Sequence, residues 1–285
     1  YTIISLKEAI EILKKNLEIT NNLIVITFDD GYRDNFENAF PILKNLQIPF
    51  TIFLTVNCIQ SGKPLWIDYI INAIDRMNDD LLDLRNIGFG IYSLKTPINK
   101  ADAVEKIVMK GKNLINRNVL IDYILEKANL DYKDKIFKNI MLSWDEVKKM
   151  KGENVTFGSH SLNHYILSNL SFKEIELEIS ESKKILEDKL GCEINFFSYP
   201  NGSATDFNEY SKKVLKKYGY DCACSLIRGA NYINTDLYAL KRIGIYPWKC
   251  QNCKGNLSKS FFSFKISNFP IRYNLYNLLR NYQIK

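Results

Sequence analysis

Apolar residues recur along this chain with two periods, which predict where strands and helices lie. Residues 23–28 form a continuous apolar, β-branched run, typical of a strand buried on both faces of a parallel sheet. A capping box at Ser171 begins a stripe of apolar residues at helical spacing. The pattern predicts strands at 195–199 and 220–226, with a helix at 206–217 between them. This alternation of strands and helices predicts a parallel α/β fold.

Between about residues 60 and 141 the alternation gives way to mostly helical patterns. They predict helices within 65–77 and 101–130 and a short strand at 89–94. The mixed charges of this segment are typical of a solvated surface. We interpret it as an insertion that forms either a lid over a ligand site or a surface elaboration without a direct role.

The two histidines of the chain, His160 and His164, are separated by three residues. This spacing places both imidazoles on one side of a helical turn, where they can bind one metal ion. An isolated pair is equally compatible with two ordinary hydrogen-bonded histidines. A carboxylate ligand and a base elsewhere in the chain would decide between these interpretations.

Two acids, Asp29 and Asp30, directly follow the predicted strand at 23–28. Ligands bind at the carboxyl ends of parallel strands, so this position favours chemistry. Adjacent side chains of an extended segment point in opposite directions, so we expect one acid to hold a metal and the other to face substrate. The alternative is a capped turn at Asp30 and Gly31.

The sequences TFDDG (27–31) and HSLNH (160–164) together resemble the first two motifs of the polysaccharide deacetylases. This family is also called the NodB homology domain or carbohydrate esterase family 4. The sequences IPFTIFL (48–54), SWDE (143–146) and FFSYPNG (196–202) resemble further parts of its pattern. The resemblance extends over about residues 1–60 and 140–246.

The resemblance implies a deformed (β/α)7-type barrel with a mostly helical insertion. We accordingly assign residues 1–60 and 141–256 to a NodB-like deacetylase barrel. Residues 61–140 form the helical insertion, and residues 257–285 form a basic, aromatic C-terminal segment.

The resemblance also implies a set of metal ligands, namely Asp30, His160 and His164. One carboxylate and two imidazoles suit a divalent metal, most of all Zn²⁺, with Co²⁺ or Mn²⁺ as alternatives. Asp29 then fits the general base that takes a proton from water. The backbone N–H of Asn201 is expected to stabilise the oxyanion.

Substrate contacts are expected from Tyr199, Pro200 and Tyr32. Trp66, Tyr69 and Trp144 are candidates for stacking on a sugar, and packing in the core is the competing use of each.

The chain departs from the family pattern at two places. Ser198 stands where the third motif often has an arginine that orients the catalytic aspartate, and Arg242 is a candidate for that role or for a structural ion pair. The fifth-motif histidine, commonly the general acid, has no counterpart. Asp29, Tyr199 or water would have to protonate the leaving nitrogen, which predicts slow turnover or an unusual substrate.

These observations predict a metal-dependent hydrolase that removes an N-acetyl group from an amino sugar. The sugar would belong to a bacterial surface polysaccharide or to its lipid-linked precursor. One alternative is a deformylase or O-deacetylase acting on a related sugar. Another is a catalytically inactive glycan-binding module.

The net charge of +7 arises at the C-terminal end. Residues 241–285 carry nine Lys or Arg and no acid, interleaved with aromatic residues. This composition suits peripheral association with an anionic membrane, or a terminal helix that packs under the barrel with a solvated basic face. We expect no nucleic-acid partner, because no nucleic-acid-binding motif accompanies the charge.

The six cysteines include Cys222, Cys224, Cys250 and Cys253. They could form a second, four-thiolate zinc site or remain as free buried thiols. Free thiols favour a reducing compartment, the cytoplasm or the inner face of a membrane. The chain begins at Tyr1 within what resembles the family's early strand, so we expect its natural N-terminus to lie upstream, where a signal peptide or anchor would be.

Overall fold

The computed structural model describes residues 1–17, 22–114, 116–245, 256–258 and 262. In chain order the strands are β1 (Thr2–Ile3), β2 (Leu23–Ile24), β3 (Ile26–Phe28), β4 (Phe50–Leu54), β5 (Leu81–Asp83), β6 (Ile91–Ser93), β7 (Val155–Ser159), β8 (Phe196–Ser198), β9 (Cys222–Arg228) and β10 (Leu240–Arg242). The α-helices are α1 (Leu6–Lys15), α2 (Phe40–Asn45), α3 (Val56–Ser61), α4 (Trp66–Arg76), α5 (Pro97–Gly111), α6 (Asn118–Lys127), α7 (Trp144–Met150), α8 (Phe172–Leu190) and α9 (Glu209–Lys217). A π-helical turn, Asn35–Ala39, precedes α2. Short 3₁₀ turns lie at Arg85–Ile87, Lys135–Phe137, Leu167–Asn169 and Leu237–Ala239.

A curled parallel sheet is the centre of the fold. Its strand order is β10-β9-β8-β7-β4-β3, and each neighbouring pair is parallel. β1 pairs in parallel with β2, which is separated from β3 by Val25 alone. Arg242 on the edge strand β10 donates to Thr27 on the opposite edge strand β3, so the two edges of the sheet approach each other. The predicted parallel α/β fold is therefore confirmed.

The two faces of this sheet have different partners, because alternate side chains of a strand point to opposite faces. On the outer face, Ile52 and Phe197 share a hydrophobic core with Ile175 and Ile179 of α8. On the inner face, Phe53, Phe196, Cys222, Cys224 and Leu240 pack with Leu6 and Ile10 of α1. Helix α1 thus covers the inner face of the sheet, and the carboxyl ends of the strands hold the side chains described below.

The segment between β4 and β7 is mostly helical, as predicted, and has a hydrophobic core of its own. Helices α4, α5 and α6 supply most of this core, which extends from Tyr69 to Phe137. An antiparallel hairpin, β5 with β6, packs on it and accounts for the short strand predicted at 89–94. The region predicted as helical at 101–130 contains two helices, because the chain turns between Gly111 and Asn118.

Two details of the predicted elements are wrong. Residues 23–28 are two short, half-buried strands rather than one fully buried strand, because the chain changes partner at Val25, from β1 to β4. The helix predicted from residue 206 begins at Glu209, because the side chain of Asn208 accepts the N–H of Ser211 and caps it there.

Several predictions fall on parts of the chain that the structure does not describe. Cys250 and Cys253 lie there. The predicted C-terminal segment, residues 257–285, lies there too, except for residues 257, 258 and 262. Cys222 and Cys224 are buried and free. Among the described helices, none is both long enough and apolar enough to cross a membrane.

Gly158 in β7 lies where the neighbouring strands β4 and β8 leave no room for a side chain. A Cβ atom there would lie 2.5 Å from the ring of the buried Phe53 and 2.8 Å from the carbonyl oxygen of Phe196. We expect Gly158→Ala to lower the free energy of unfolding by about 1–3 kcal/mol, measured by urea denaturation. The control is Gly90→Ala, where nothing lies closer than 3.7 Å, and a change below about 0.5 kcal/mol is expected. Equal stability of the two variants would contradict this packing.

Candidate active site

Asp29 and Asp30 follow β3 at the carboxyl edge of the sheet. The backbone turns immediately, since Asp30 has φ +72° and Gly31 has φ +81°. We predicted that the two carboxylates point in different directions because side chains alternate along an extended strand. The structure shows a left-handed turn at Asp30 instead. A non-glycine residue in this conformation is strained, and such strain is concentrated at functional sites.

Asp30, His160 and His164 converge on one point. Asp30 Oδ1 lies 3.2 Å from His160 Nε2 and 3.1 Å from His164 Nε2. Three ligands about 2.0–2.2 Å from a tetrahedral metal ion are separated from one another by roughly 3.3–3.6 Å, slightly more than the separations seen here. One carboxylate oxygen and two imidazole nitrogens at these separations fit a divalent metal ion.

The tautomer of His160 also suits a metal ligand. Its Nδ1 lies 2.8 Å from the carbonyl oxygen of Ser198, so this nitrogen carries the proton and Nε2 presents a lone pair. The ring is buried. Burial alone would lower the pKa of His160, but the charges of Asp29 and Asp30 outweigh it and raise the pKa.

The two histidines lie on a loop, so the predicted helical turn is wrong. Ser161 and His164 both have positive φ, and the Ser161 hydroxyl accepts the N–H of His164. The carbonyls of Ser161 and Leu162 accept the N–H groups of Val56 and Asn57, respectively, at the start of α3. These bonds satisfy helix N–H groups that otherwise have no partner, so α3 fixes the loop in place.

Glu178 is a further determinant of this loop, which the sequence analysis missed. Its buried carboxylate on α8 accepts the N–H groups of Leu162 and Asn163 at 3.0 and 2.8 Å, and the Asn163 amide at 2.6 Å. The sequence contained a sign of this role, since Glu178 falls on the apolar face of α8 beside Ile175 and Ile179. A buried acid on such a face requires partners.

Asp29 is held by Arg242 through two parallel hydrogen bonds. Arg242 Nη1 and Nη2 each lie 2.7 Å from one oxygen of the carboxylate. Arg242 Nη2 also donates to the hydroxyl of Ser198, which itself lies 3.3 Å from Asp29. Ser198 is therefore a partner of the arginine rather than a replacement for it.

The charges around Asp29 decide its protonation. Burial would raise the pKa of this carboxyl group, but the charges of Arg242 and His160 and the hydrogen bonds from Arg242 hold it below its ordinary value. Asp29 is therefore ionised at neutral pH. The same ion pair raises the pKa of Arg242 against the opposing effect of burial.

The structure corrects the prediction for Tyr199. Its side chain is buried in the core, where it stacks on Phe207 at 4.1 Å and donates to the carbonyl of Tyr238 at 2.9 Å. Burial raises the pKa of Tyr199 well above its ordinary value. The hydroxyl is thus unable to contact a substrate or to protonate a leaving nitrogen, and Pro200 beside it is also buried.

Asn201 follows these two residues and is exposed, with φ +60°. Across the described ranges, no acceptor takes its backbone N–H. This N–H remains free for an incoming oxygen atom, which is the requirement of the predicted oxyanion role.

Tyr32 connects the Asp30 turn with the insertion. Its hydroxyl donates to Asp68 Oδ1 at 3.2 Å, and Asp68 also accepts the N–H of Leu65 at the start of α4. Burial raises the pKa of Asp68 to about 6, aided by the negative charge of Asp30 and opposed by these hydrogen bonds. No motif had indicated Asp68, because it lies in a helix of the insertion.

The aromatic candidate Trp144 is partly buried and packs against the main core of the barrel. Of the two uses considered for Trp144, stacking on a sugar and packing in the core, the structure shows packing in the core.

A curated bacterial protein is similar to this chain in sequence. YxkH of Bacillus subtilis (strain 168), whose name places it among the polysaccharide deacetylases, is 22% identical over 247 residues. The aligned region covers 87% of this chain and 60% of YxkH. The chain thus spans about 60% of the length of this relative.

Two solved structures share the fold. The deacetylase PplD of Streptococcus pyogenes, solved in complex with acetate, has a TM-score of 0.57 at 18% identity, covering 87% of this chain and 76% of PplD. The BpsB deacetylase domain of Bordetella bronchiseptica has a TM-score of 0.51 at 15% identity, covering 85% of this chain and 78% of that domain. The likeness confirms the predicted deformed (β/α)7-type barrel.

A sequence model of the family described as "Polysaccharide deacetylase" matches residues 17–223. The matched region includes the two acids that follow β3 and both histidines. It covers more than half of the chain, so the resemblance seen in the motifs is confirmed. This chain belongs to the polysaccharide deacetylase family.

Proposed function

We propose that this protein is a metal-dependent hydrolase that removes the N-acetyl group from an amino sugar. One observation carries the proposal. An ionised carboxylate, Asp29, held by Arg242, lies directly beside the convergent group of Asp30, His160 and His164. A base next to a metal-binding group is what hydrolysis of an unactivated amide requires.

Asp30, His160 and His164 would hold the metal, with Zn²⁺ as the best fit and Co²⁺ or Mn²⁺ as alternatives. A bound divalent ion supplies a Lewis acid that polarises a carbonyl and lowers the pKa of water. Glu178 and the Ser198 carbonyl contribute by fixing the loop and the His160 ring.

Asp29 accepts a proton from the attacking water. Its lowered pKa keeps it ionised at neutral pH, and the two-point contact with Arg242 fixes the direction of its oxygens. The oxygen of the water adds to the amide carbon, and negative charge develops on the former carbonyl oxygen. We assign the stabilisation of that charge to the backbone N–H of Asn201, which has no acceptor among the described residues.

The leaving nitrogen must gain a proton as the carbon–nitrogen bond breaks. Both histidines are assigned to the metal, and Tyr199 is occupied in the core. We assign this step to Asp29, which returns the proton that it took from water. The carbon–nitrogen bond breaks, the amine leaves with both protons of the water, and the products are acetate and the protonated amine, with Asp29 again ionised.

The proposal also specifies which glycan carries the N-acetylated sugar. We place the N-acetylated sugar in a bacterial surface polysaccharide or its lipid-linked precursor, with the basic residues 257–285 bringing the enzyme to an anionic membrane. The name of YxkH, a polysaccharide deacetylase, supports a carbohydrate substrate. The name of PplD, a deacetylase solved with acetate, supports the acetyl group. A deformylase would release formate instead of acetate, and an O-deacetylase would act on ester but not amide substrates.

The first prediction concerns the base. We expect the Zn²⁺-loaded protein to release acetate from N-acetylglucosamine oligosaccharides, and Asp29→Asn to lower kcat by about 10²–10⁴-fold because the amide accepts no proton. Acetate release and bound metal are measured on the same samples. Bound metal should be unchanged in the variant. Full activity of Asp29→Asn would remove this residue as the base.

The second prediction concerns the metal. Asp30→Asn keeps the shape of the side chain but removes its charge, so the affinity for Zn²⁺ should fall by roughly 100-fold or more. Titration against a chromophoric chelator measures this affinity, with Asp29→Asn as the adjacent control. Parent-like affinity of Asp30→Asn would place the metal elsewhere.

The third prediction concerns the support of the loop. Glu178→Ala leaves two buried N–H groups without an acceptor, so we expect a loss of about 10–100-fold in metal affinity without removal of a ligand. The matched control is Glu181→Ala on the same helix, whose carboxylate has no hydrogen bond among the described residues. If both variants bind metal as the parent does, Glu178 does not position the site.

A further inference from the structure

Asp68, on α4 of the insertion, is a third acid beside the candidate active site. Its carboxylate accepts the hydroxyl of Tyr32, which lies two residues after Asp30. Burial raises the pKa of Asp68 to about 6, opposed by its hydrogen bonds, and the negative charge of Asp30 adds to the rise. Asp30 is thus close enough for the two charges to interact. Asp68 and Tyr32 are both only partly buried, so a ligand can reach them.

Within the described ranges, Asp68 differs from the other two acids because it has no cationic partner. Asp29 pairs with Arg242, and Asp30 is assigned to the metal. The carboxylate of Asp68 accepts only neutral donors there, the Tyr32 hydroxyl and one backbone N–H. A carboxylate has about four acceptor positions, so part of its capacity is unused. At neutral pH it therefore offers a negative charge and a place for a further donor.

The proposed reaction creates a positive charge that this carboxylate can balance. When the carbon–nitrogen bond breaks, its electron pair stays on the nitrogen, which takes one proton from Asp29 and then the second proton of the water. The nitrogen thus becomes an ammonium group. An ester produces no such charge, because its leaving oxygen departs as a neutral hydroxyl or as an anion. An interaction that strengthens only as the nitrogen gains charge accelerates the amide reaction alone.

We propose that Asp68 is a specificity-determining residue, whose carboxylate binds the N–H groups of the leaving nitrogen and so favours N-acetyl over O-acetyl substrates. The hydroxyl of Tyr32 holds the carboxylate in position. The inference deepens the proposed function and rests on it for the reaction. It also gives helix α4 of the insertion a role in the choice of substrate.

Asp68 also caps helix α4, so the test must separate charge from capping. Asp68→Asn keeps an oxygen that can accept the N–H of Leu65 and the hydroxyl of Tyr32, and it removes only the negative charge. The matched control is Glu8→Gln. The exposed carboxylate of Glu8 caps α1 in the same way, by accepting the N–H of Ser5 at 2.8 Å.

The kinetic test compares an amide with an ester on the full, Zn²⁺-loaded chain. The amide is an N-acetylglucosamine oligosaccharide, and the ester is 4-methylumbelliferyl acetate, whose leaving oxygen needs no proton. We expect Asp68→Asn to lower kcat on the amide by about 10–100-fold, the effect of one charged hydrogen bond, and to leave ester hydrolysis unchanged. Glu8→Gln should change neither rate. An equal loss on amide and ester, or a parent-like amide rate, would overturn the inference.

A binding measurement without turnover separates this inference from the proposed function. NMR titration of the Zn²⁺-loaded chain compares glucosamine, which carries the ammonium group, with neutral glucose. We expect Asp68→Asn to weaken glucosamine binding by about 10-fold and to leave glucose binding unchanged. If the parent releases no acetate but its glucosamine binding depends on Asp68, the deacetylase alone is refuted. Parent-like glucosamine binding by Asp68→Asn would refute the role of Asp68, whether or not acetate is released.

Discussion

The ion pair between Asp29 and Arg242 joins the two edges of the curled sheet. Arg242 ends β10 and Asp29 follows β3, and both side chains are largely shielded from water. Removal of one partner from a buried pair leaves an uncompensated charge, which typically costs about 3–5 kcal/mol. The same contact holds Asp29 ionised and fixes its direction beside Asp30. One interaction thus bridges the two edges of the sheet and fixes the proposed base.

The rest of the site is a set of loops that this curled sheet brings together. Asp30 lies in a left-handed turn after β3, and the histidine loop follows β7. The N–H groups of α3 and the carboxylate of Glu178 hold that loop in a conformation that it would not adopt alone. Asp30 Oδ1 lies 3.1–3.2 Å from both imidazole nitrogens, a separation that either a shared cation or a proton on each imidazole stabilises.

Much of this arrangement could be predicted from sequence, because residue type and spacing report directly on chemistry. The alternating strands and helices predicted a parallel sheet, and TFDDG with HSLNH predicted which acids and histidines meet. The loop conformation could not be predicted, because four-residue spacing fits both a helix and the left-handed turn at Ser161 and His164. Tyr199 was misassigned because its position beside Pro200 does not reveal which face of the sheet its side chain occupies. Asp68 escaped notice because its contact with Tyr32 joins segments that are 36 residues apart.

X-ray absorption at the zinc edge, on the full chain with one equivalent of Zn²⁺, tests the central claim most directly. Asp30, His160 and His164 predict only nitrogen and oxygen neighbours at about 2.0–2.2 Å, with the outer-ring scattering of two imidazoles. A sulfur shell at about 2.3 Å would show that cysteines bind the metal. That result, or the absence of imidazole scattering, would contradict the account.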